Sequence, residues 1–127
     1  MTMVVDTSAW IEWLTATPLA EEIGNRLPTR DAIIVPTIVQ LELAKWATLE
    51  RGDDVSDEII AYTMKCHVVD LDISSALIAA DICRRHGLAT ADAIVYGAAL
   101  QHDAGLLTCD AHFEHLPGVI YIAKPKG

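Results

Sequence analysis

The chain has 127 residues, 52% hydrophobic and 21% charged, which excludes disordered and fibrous classes and fits a single domain over residues 1–127. Its 18 acidic residues against 9 basic ones give a net charge of −9, which suits general electrostatic binding to nucleic acid poorly, and no DNA contact by this chain alone is expected. Action on nucleic acid would require a local attraction or a bound cation, and the same charge suits a basic protein partner.

In chain order, Met3-Val4-Val5 predicts a short buried strand, followed by helical periodicity through Leu14. Thr17-Pro18 predicts the opening of a second helix, with a hydroxyl cap and proline at the first helical position. Ala32-Ile33-Ile34-Val35 predicts a strand ended by Pro36. A longer helix is expected over Thr37–Glu50, stopped by Gly52, and the polar run Gly52–Ser56 reads as a loop. A helix to about Lys65, a strand at Val68-Val69 and a helix over Ser74–His86 stopped by Gly87 follow. Thr90 is expected to cap the next helix, which ends near Gly105. Leu106-Leu107-Thr108 and Val119-Ile120-Tyr121-Ile122 complete five strand runs separated by helices, the pattern of an α/β fold with a mostly parallel sheet.

Four acids interrupt this pattern. On a wheel of Thr37–Glu50, the apolar arc carries Ile38, Val39, Leu43, Trp46 and Leu49, with Glu42 between Leu49 and Trp46, so Glu42 is expected to point inward. The structural alternative is an ion pair with Lys45. Asp92 stands in the first turn after Thr90, on the face of Val95, Tyr96 and Ala99, where it either complements the helix dipole or serves a site. Asp6 and Asp110 each lie just beyond an apolar strand run, at the edge where open α/β sheets bind ligands. Helix capping is the alternative for each, although Thr7 and Ser8 are rival caps that would leave Asp6 free. If these carboxylates converge, they need a counter-charge. All-oxygen ligation fits Mg²⁺ or Mn²⁺, which orients water and neutralises charge on a phosphodiester oxygen.

Val4-Val5-Asp6-Thr7-Ser8-Ala9-Trp10 resembles the opening motif of PIN domains. Gln40-Leu41-Glu42-Leu43, Ala91-Asp92-Ala93-Ile94 and Leu107-Thr108-Cys109-Asp110 resemble the second, third and fourth motifs in order and spacing, so the resemblance spans essentially the whole chain. In length it looks most like the VapC-type toxin ribonucleases of VapBC toxin–antitoxin pairs. The resemblance implies a three-layer α/β/α sandwich around a small, mostly parallel sheet. It also implies a Mg²⁺- or Mn²⁺-dependent endoribonuclease hydrolysing single-stranded RNA regions, a homodimer, and inhibition by a VapB-like antitoxin. Carried over by position, Asp6, Glu42, Asp92 and Asp110 would be the catalytic, metal-binding set, with Ser8 and Thr108 as supporting hydroxyls that orient ligands or water. One position departs: many relatives carry another acid shortly after the fourth motif, where Asp110-Ala111-His112-Phe113 has His112, which bears on a second tightly held metal.

Two alternatives remain within the family: a housekeeping RNA-processing nuclease and a non-catalytic binding module, the latter expected to have lost acids that this chain keeps. A receiver-like phosphoacceptor would want adjacent acids at the first strand, and a haloacid-dehalogenase-type phosphatase would want D-x-D where the chain reads Asp6-Thr7-Ser8. Arg84 and Arg85 end a helix, where they complement its dipole or contact an RNA phosphate. His112 reads as an exposed loop histidine, with an RNA phosphate contact as its functional alternative; its spacing to His115 supports no zinc motif. Trp10, Trp13 and Trp46 are expected in the core or an interface, Trp10 and Trp13 being spaced to pack against a partner. Lys124 and Lys126 form a short basic tail. Cys66, Cys83 and Cys109, odd in number and without CxxC spacing, predict free thiols in a reducing cytoplasm. The start MTMVVDTSAW is not expected to be a signal peptide, and no stretch approaches the ~20 apolar residues of a membrane span.

Overall fold

Met3–Val5 forms β1, and all of its residues are buried, as an apolar run covered on both faces must be. The computed structural model describes residues 1–125, so Lys126 of the basic tail lies outside the described residues. β2 (Ile33–Pro36) and β4 (Gly105–Thr108) flank β1, with Met3 in register with Ile33 on one side and Gly105 on the other. β3 (His67–Val69) and β5 (Val119–Tyr121) are the edges, giving the order β3-β2-β1-β4-β5 with every pairing parallel.

Helices α1 (Thr7–Leu14) and α2 (Ala20–Arg26) connect β1 to β2, and α3 (Thr37–Arg51) and α4 (Asp53–Thr63) connect β2 to β3. Helices α5 (Ile73–His86) and α6 (Thr90–Gln101) carry the chain back across the sheet to β4. The first two connections step one way and the third returns, so right-handed crossovers put α1–α4 and α5–α6 on opposite faces. The result is a three-layer α/β/α sandwich. Its core joins the strands to Trp10 of α1, Val39 and Leu43 of α3, Ala93 and Tyr96 of α6, and Phe113. No helix of the described residues is long and apolar enough to cross a membrane.

Several local expectations need correction. The second helix begins at Ala20, not at Thr17-Pro18; the Thr17 hydroxyl instead accepts from the Leu19 N–H at 3.3 Å inside a preceding turn. The Gly52–Ser56 run is not a loop. Gly52, at φ +91°, makes the break alone, and Asp53 and Asp54 open α4, where first-turn acids complement the dipole. Ser56 is buried there against α3, its hydroxyl donating to the Ala44 carbonyl at 3.4 Å. Thr90 does not cap α6; Ala89 holds the cap position and Thr90 is the first helical residue. That helix stops at Gln101, because Asp103 adopts a left-handed φ of 51° before β4 begins.

Candidate active site

The strand order reverses between β1 and β4, and the carboxyl ends of these two strands deliver Asp6 and Asp110 to the crevice such a switch point opens. Asp6 holds the cap position of α1 but makes no side-chain cap bond there. The Ser8 and Thr108 hydroxyls both donate to Asp6 Oδ2, at 2.7 and 2.9 Å. Thr108 Oγ1 also accepts from the Asp110 N–H at 2.9 Å, and Ser8 Oγ accepts from the Cys109 N–H at 3.0 Å. These two hydroxyls therefore fix Asp6 against the β4 end. Neither of the rival caps, Thr7 and Ser8, holds the cap position of α1.

Asp6 is buried, with 6% of its surface exposed. That burial raises its carboxyl above the usual range and Asp110 repels it further, while the Ser8 and Thr108 hydroxyls and the Thr7 backbone pull the other way. Asp92, in the first turn of α6, is also raised: burial is the largest cause, followed by the charges of Asp110 and Asp6, with His112 opposing. Asp6, Asp92 and Asp110 are thus near enough for their charges to act on one another. Asp110 is in part the cap its position suggested, since its Oδ1 accepts the His112 N–H at 2.9 Å and closes the turn Ala111–Phe113.

His112 is the residue sequence reasoning undervalued. Its ring is exposed, as expected, yet Nδ1 lies 3.3 Å from Asp92 Oδ2 and 3.2 Å from Asp110 Oδ1. One potential ligand atom from each of Asp92, Asp110 and His112 falls within 4.8 Å of the others. The available signal was the two-residue step from Asp110 to His112 across a tight turn. Beside them a cleft of about 280 Å³ is lined by His86, Gly87, Leu88, Ala89, Asp92 and His112.

Glu42 is not inside the apolar arc. The inward row of α3 is Val39-Leu43-Ala47; Glu42 is half-buried on its shoulder and Leu49 is 78% exposed. The wheel failed because α3 leaves part of its apolar surface uncovered, Ile38, Leu41, Trp46 and Leu49 lining an open groove with Glu42 and Lys45. Among the described residues no ion pair joins Glu42 to Lys45. Instead the Thr7 hydroxyl donates to Glu42 Oε1 at 2.7 Å, linking Glu42 to the residue that follows Asp6.

Arg84 and Arg85 both pair with Asp81 on their own helix. Trp10 is in the core, which removes it from any docking surface; it packs with half-buried Trp13 and with Tyr62, ring centroids 5.7 and 5.9 Å away.

The donor set suits a divalent cation. The crevice gathers carboxylates whose repulsion is opposed by one exposed histidine, and hard oxygen donors in excess negative charge are what such an ion balances.

The fold is similar to a toxin–antitoxin complex from Klebsiella pneumoniae, at 18% identity over 94% of this chain and 96% of that one, with a TM-score of 0.81. It is similar to VapC20 from Mycobacterium tuberculosis, described as a sarcin–ricin loop cleaving toxin, at 14% identity over 97% and 100% of the two chains and a TM-score of 0.78. A DNA-bound VapBC from Salmonella typhimurium matches at 18% identity over 97% and 98%, with a TM-score of 0.72. At these identities the likeness is one of fold. Comparison with curated proteins finds no significant match. The PIN domain family matches residues 3–119, and the chain belongs to that family.

Proposed function

We propose that this PIN domain is a Mg²⁺- or Mn²⁺-dependent endoribonuclease of the VapC type, the toxin of a toxin–antitoxin pair. The observation that supports it most is the gathering of Asp6, Asp92 and Asp110 at the β1–β4 switch point with little positive charge to balance them. A divalent cation, when bound, supplies that balance, neutralises developing charge on a phosphodiester and acidifies water for hydrolysis.

The chain's own residues divide the remaining work. Asp6, Asp92 and Asp110 hold the ion, and Glu42, turned by Thr7, extends the acidic set from the α3 side. Ser8 and Thr108 lock Asp6 at Oδ2, so its other oxygen is presented in one fixed orientation. The same oxygens accept hydrogen bonds from water and orient it toward the phosphorus. The cleft beside Asp92 and His112 gives a flanking nucleotide room against the site.

A chain of net charge −9, with Asp6, Asp92 and Asp110 gathered at this crevice, suits a basic antitoxin segment. The fold likeness to toxin–antitoxin complexes supports the same partner, and DNA contact is assigned to that partner rather than to this acidic chain. A homodimer fits the exposed Leu71, just before α5, and the exposed Ile73 and Leu77 of its first turns. The free thiols of Cys66, Cys83 and Cys109 suit a reducing cytoplasm.

The test is cleavage of single-stranded RNA by the full chain, separated from a co-expressed upstream partner. Cleavage should need Mg²⁺ or Mn²⁺ and stop when the partner is restored. Full activity in EDTA contradicts the metal chemistry, and metal binding without cleavage favours a binding module.

A further inference from the structure

We infer that His112 is itself a metal ligand, its imidazole Nδ1 joining Asp92 and Asp110 in a mixed nitrogen–oxygen set that favours first-row transition-metal ions over Mg²⁺. The inference rests on the divalent-metal reading above and deepens it.

The geometry comes first. Nδ1 stands 3.3 Å from Asp92 Oδ2 and 3.2 Å from Asp110 Oδ1. Adjacent donor atoms around a six-coordinate ion with bonds of ~2.1 Å lie about 3 Å apart, so both separations are close to ligand–ligand edges. The placement is built into the backbone. Asp110 Oδ1 accepts the His112 N–H at 2.9 Å, which folds the turn back over its own carboxylate. The next residue, Phe113, is wholly buried and anchors that turn to the core. The ring is 73% exposed, so an ion can reach it without any rearrangement of the fold.

The chemistry then sets the preference. Mg²⁺ demands oxygen donors and gives up water reluctantly, whereas first-row transition ions accept an imidazole nitrogen readily. A carboxylate in the place of His112 would serve either ion. The imidazole removes one anionic oxygen and adds a neutral nitrogen, which weakens the site for Mg²⁺ more than for Mn²⁺. The alternative role for His112 is a counter-ion that donates its Nδ1–H to both carboxylates and leaves when metal arrives. The two roles share one metal-free geometry and differ once an ion is bound.

Mn²⁺ alone is the probe, added to the full chain. Pulsed electron paramagnetic resonance should show nitrogen hyperfine modulation from a directly bonded imidazole, and His112→Ala should lose it while still binding Mn²⁺. By calorimetry, His112→Asp should lower the ratio of Mn²⁺ to Mg²⁺ affinity by roughly tenfold. Because the ring is exposed, His112→Ala should change the melting temperature of the metal-free protein little, whereas His112→Asp sets a further negative charge beside Asp92 and Asp110 and should lower it at neutral pH. Tight Mn²⁺ binding without nitrogen modulation would overturn the role given to His112 and leave the carboxylate site standing. Failure of the wild-type chain to bind Mn²⁺ or Mg²⁺ would overturn both readings together.

Discussion

Thr108 donates its hydroxyl proton to Asp6 across 102 residues of chain, at 2.9 Å, and so ties the end of β4 to the end of β1 at the point where the strand order reverses. The same oxygen accepts from the Asp110 N–H at 2.9 Å, so one buried side chain positions two of the acids. Thr108→Val keeps the shape and removes both bonds. Leaving buried polar groups unpaired costs about 1–3 kcal/mol, so urea unfolding should show a loss of that size. Mn²⁺ affinity should fall as well, and Thr108→Ser should restore most of both. A Val variant with unchanged Mn²⁺ affinity would separate Thr108 from the site.

The raised carboxyls fix a pH dependence. Asp6 is raised chiefly by burial, with repulsion from Asp110 adding to it, and Asp92 chiefly by burial, with Asp110 and Asp6 adding. Each therefore holds its proton more firmly in the folded chain than in the unfolded one, where the ordinary value is 3.8. These two groups therefore contribute stability to the metal-free fold as pH falls from neutral through the raised values, and their contribution is complete below 3.8. In EDTA at pH 7, Asp6→Asn should melt at a higher temperature than wild type, with the gap closing toward acid pH. Added Mn²⁺ should stabilise wild type far more than the variant. A lower melting temperature for Asp6→Asn in EDTA at neutral pH contradicts this.

Glu42 gives a sharper comparison. Its carboxylate is held by Thr7 and not by Lys45. Glu42→Gln should slow RNA cleavage and weaken Mn²⁺ binding, while Lys45→Ala should do neither. Thr7→Val should produce a smaller version of the Glu42→Gln effect through loss of orientation. The reverse ranking of Glu42→Gln and Lys45→Ala in the cleavage assay would make Glu42 a structural residue.

The acidic crevice also predicts competition. If a basic antitoxin segment seats an Arg or Lys among Asp6, Glu42, Asp92 and Asp110, it replaces the charge of the ion. Mg²⁺ or Mn²⁺ should then weaken binding of a tail peptide more than a monovalent salt of equal ionic strength does. Identical affinities in the two buffers would place the tail elsewhere. Contacts that hold the rest of the complex cannot include Trp10, which is buried.

The α/β class, the strand runs and three of the four acids were legible because each depends on local pattern. Apolar runs buried on both faces mark parallel strands, and Asp6 and Asp110 stand directly after two of them. Asp92 follows from helix position alone. Glu42 was misplaced because a wheel assumes that every apolar residue faces the core, whereas Leu41 and Leu49 are exposed. The short break at Gly52 reads as a loop in the sequence because acids next to glycine serve turns and helix starts equally well. The bond from Thr7 to Glu42 spans 35 residues, and no local signal carries it. The approach of His112 to Asp92 likewise depends on how α6 docks beside β4, a tertiary fact.

Asp6, Asp92 and Asp110 are proposed to form one metal centre at the β1–β4 switch point. Anomalous diffraction from crystals soaked in Mn²⁺ tests it most directly. A strong peak is expected among these three carboxylates in the wild-type protein, and its loss in Asp92→Asn. A peak at another site, or a crevice without one at Mn²⁺ concentrations that support RNA cleavage, would contradict it.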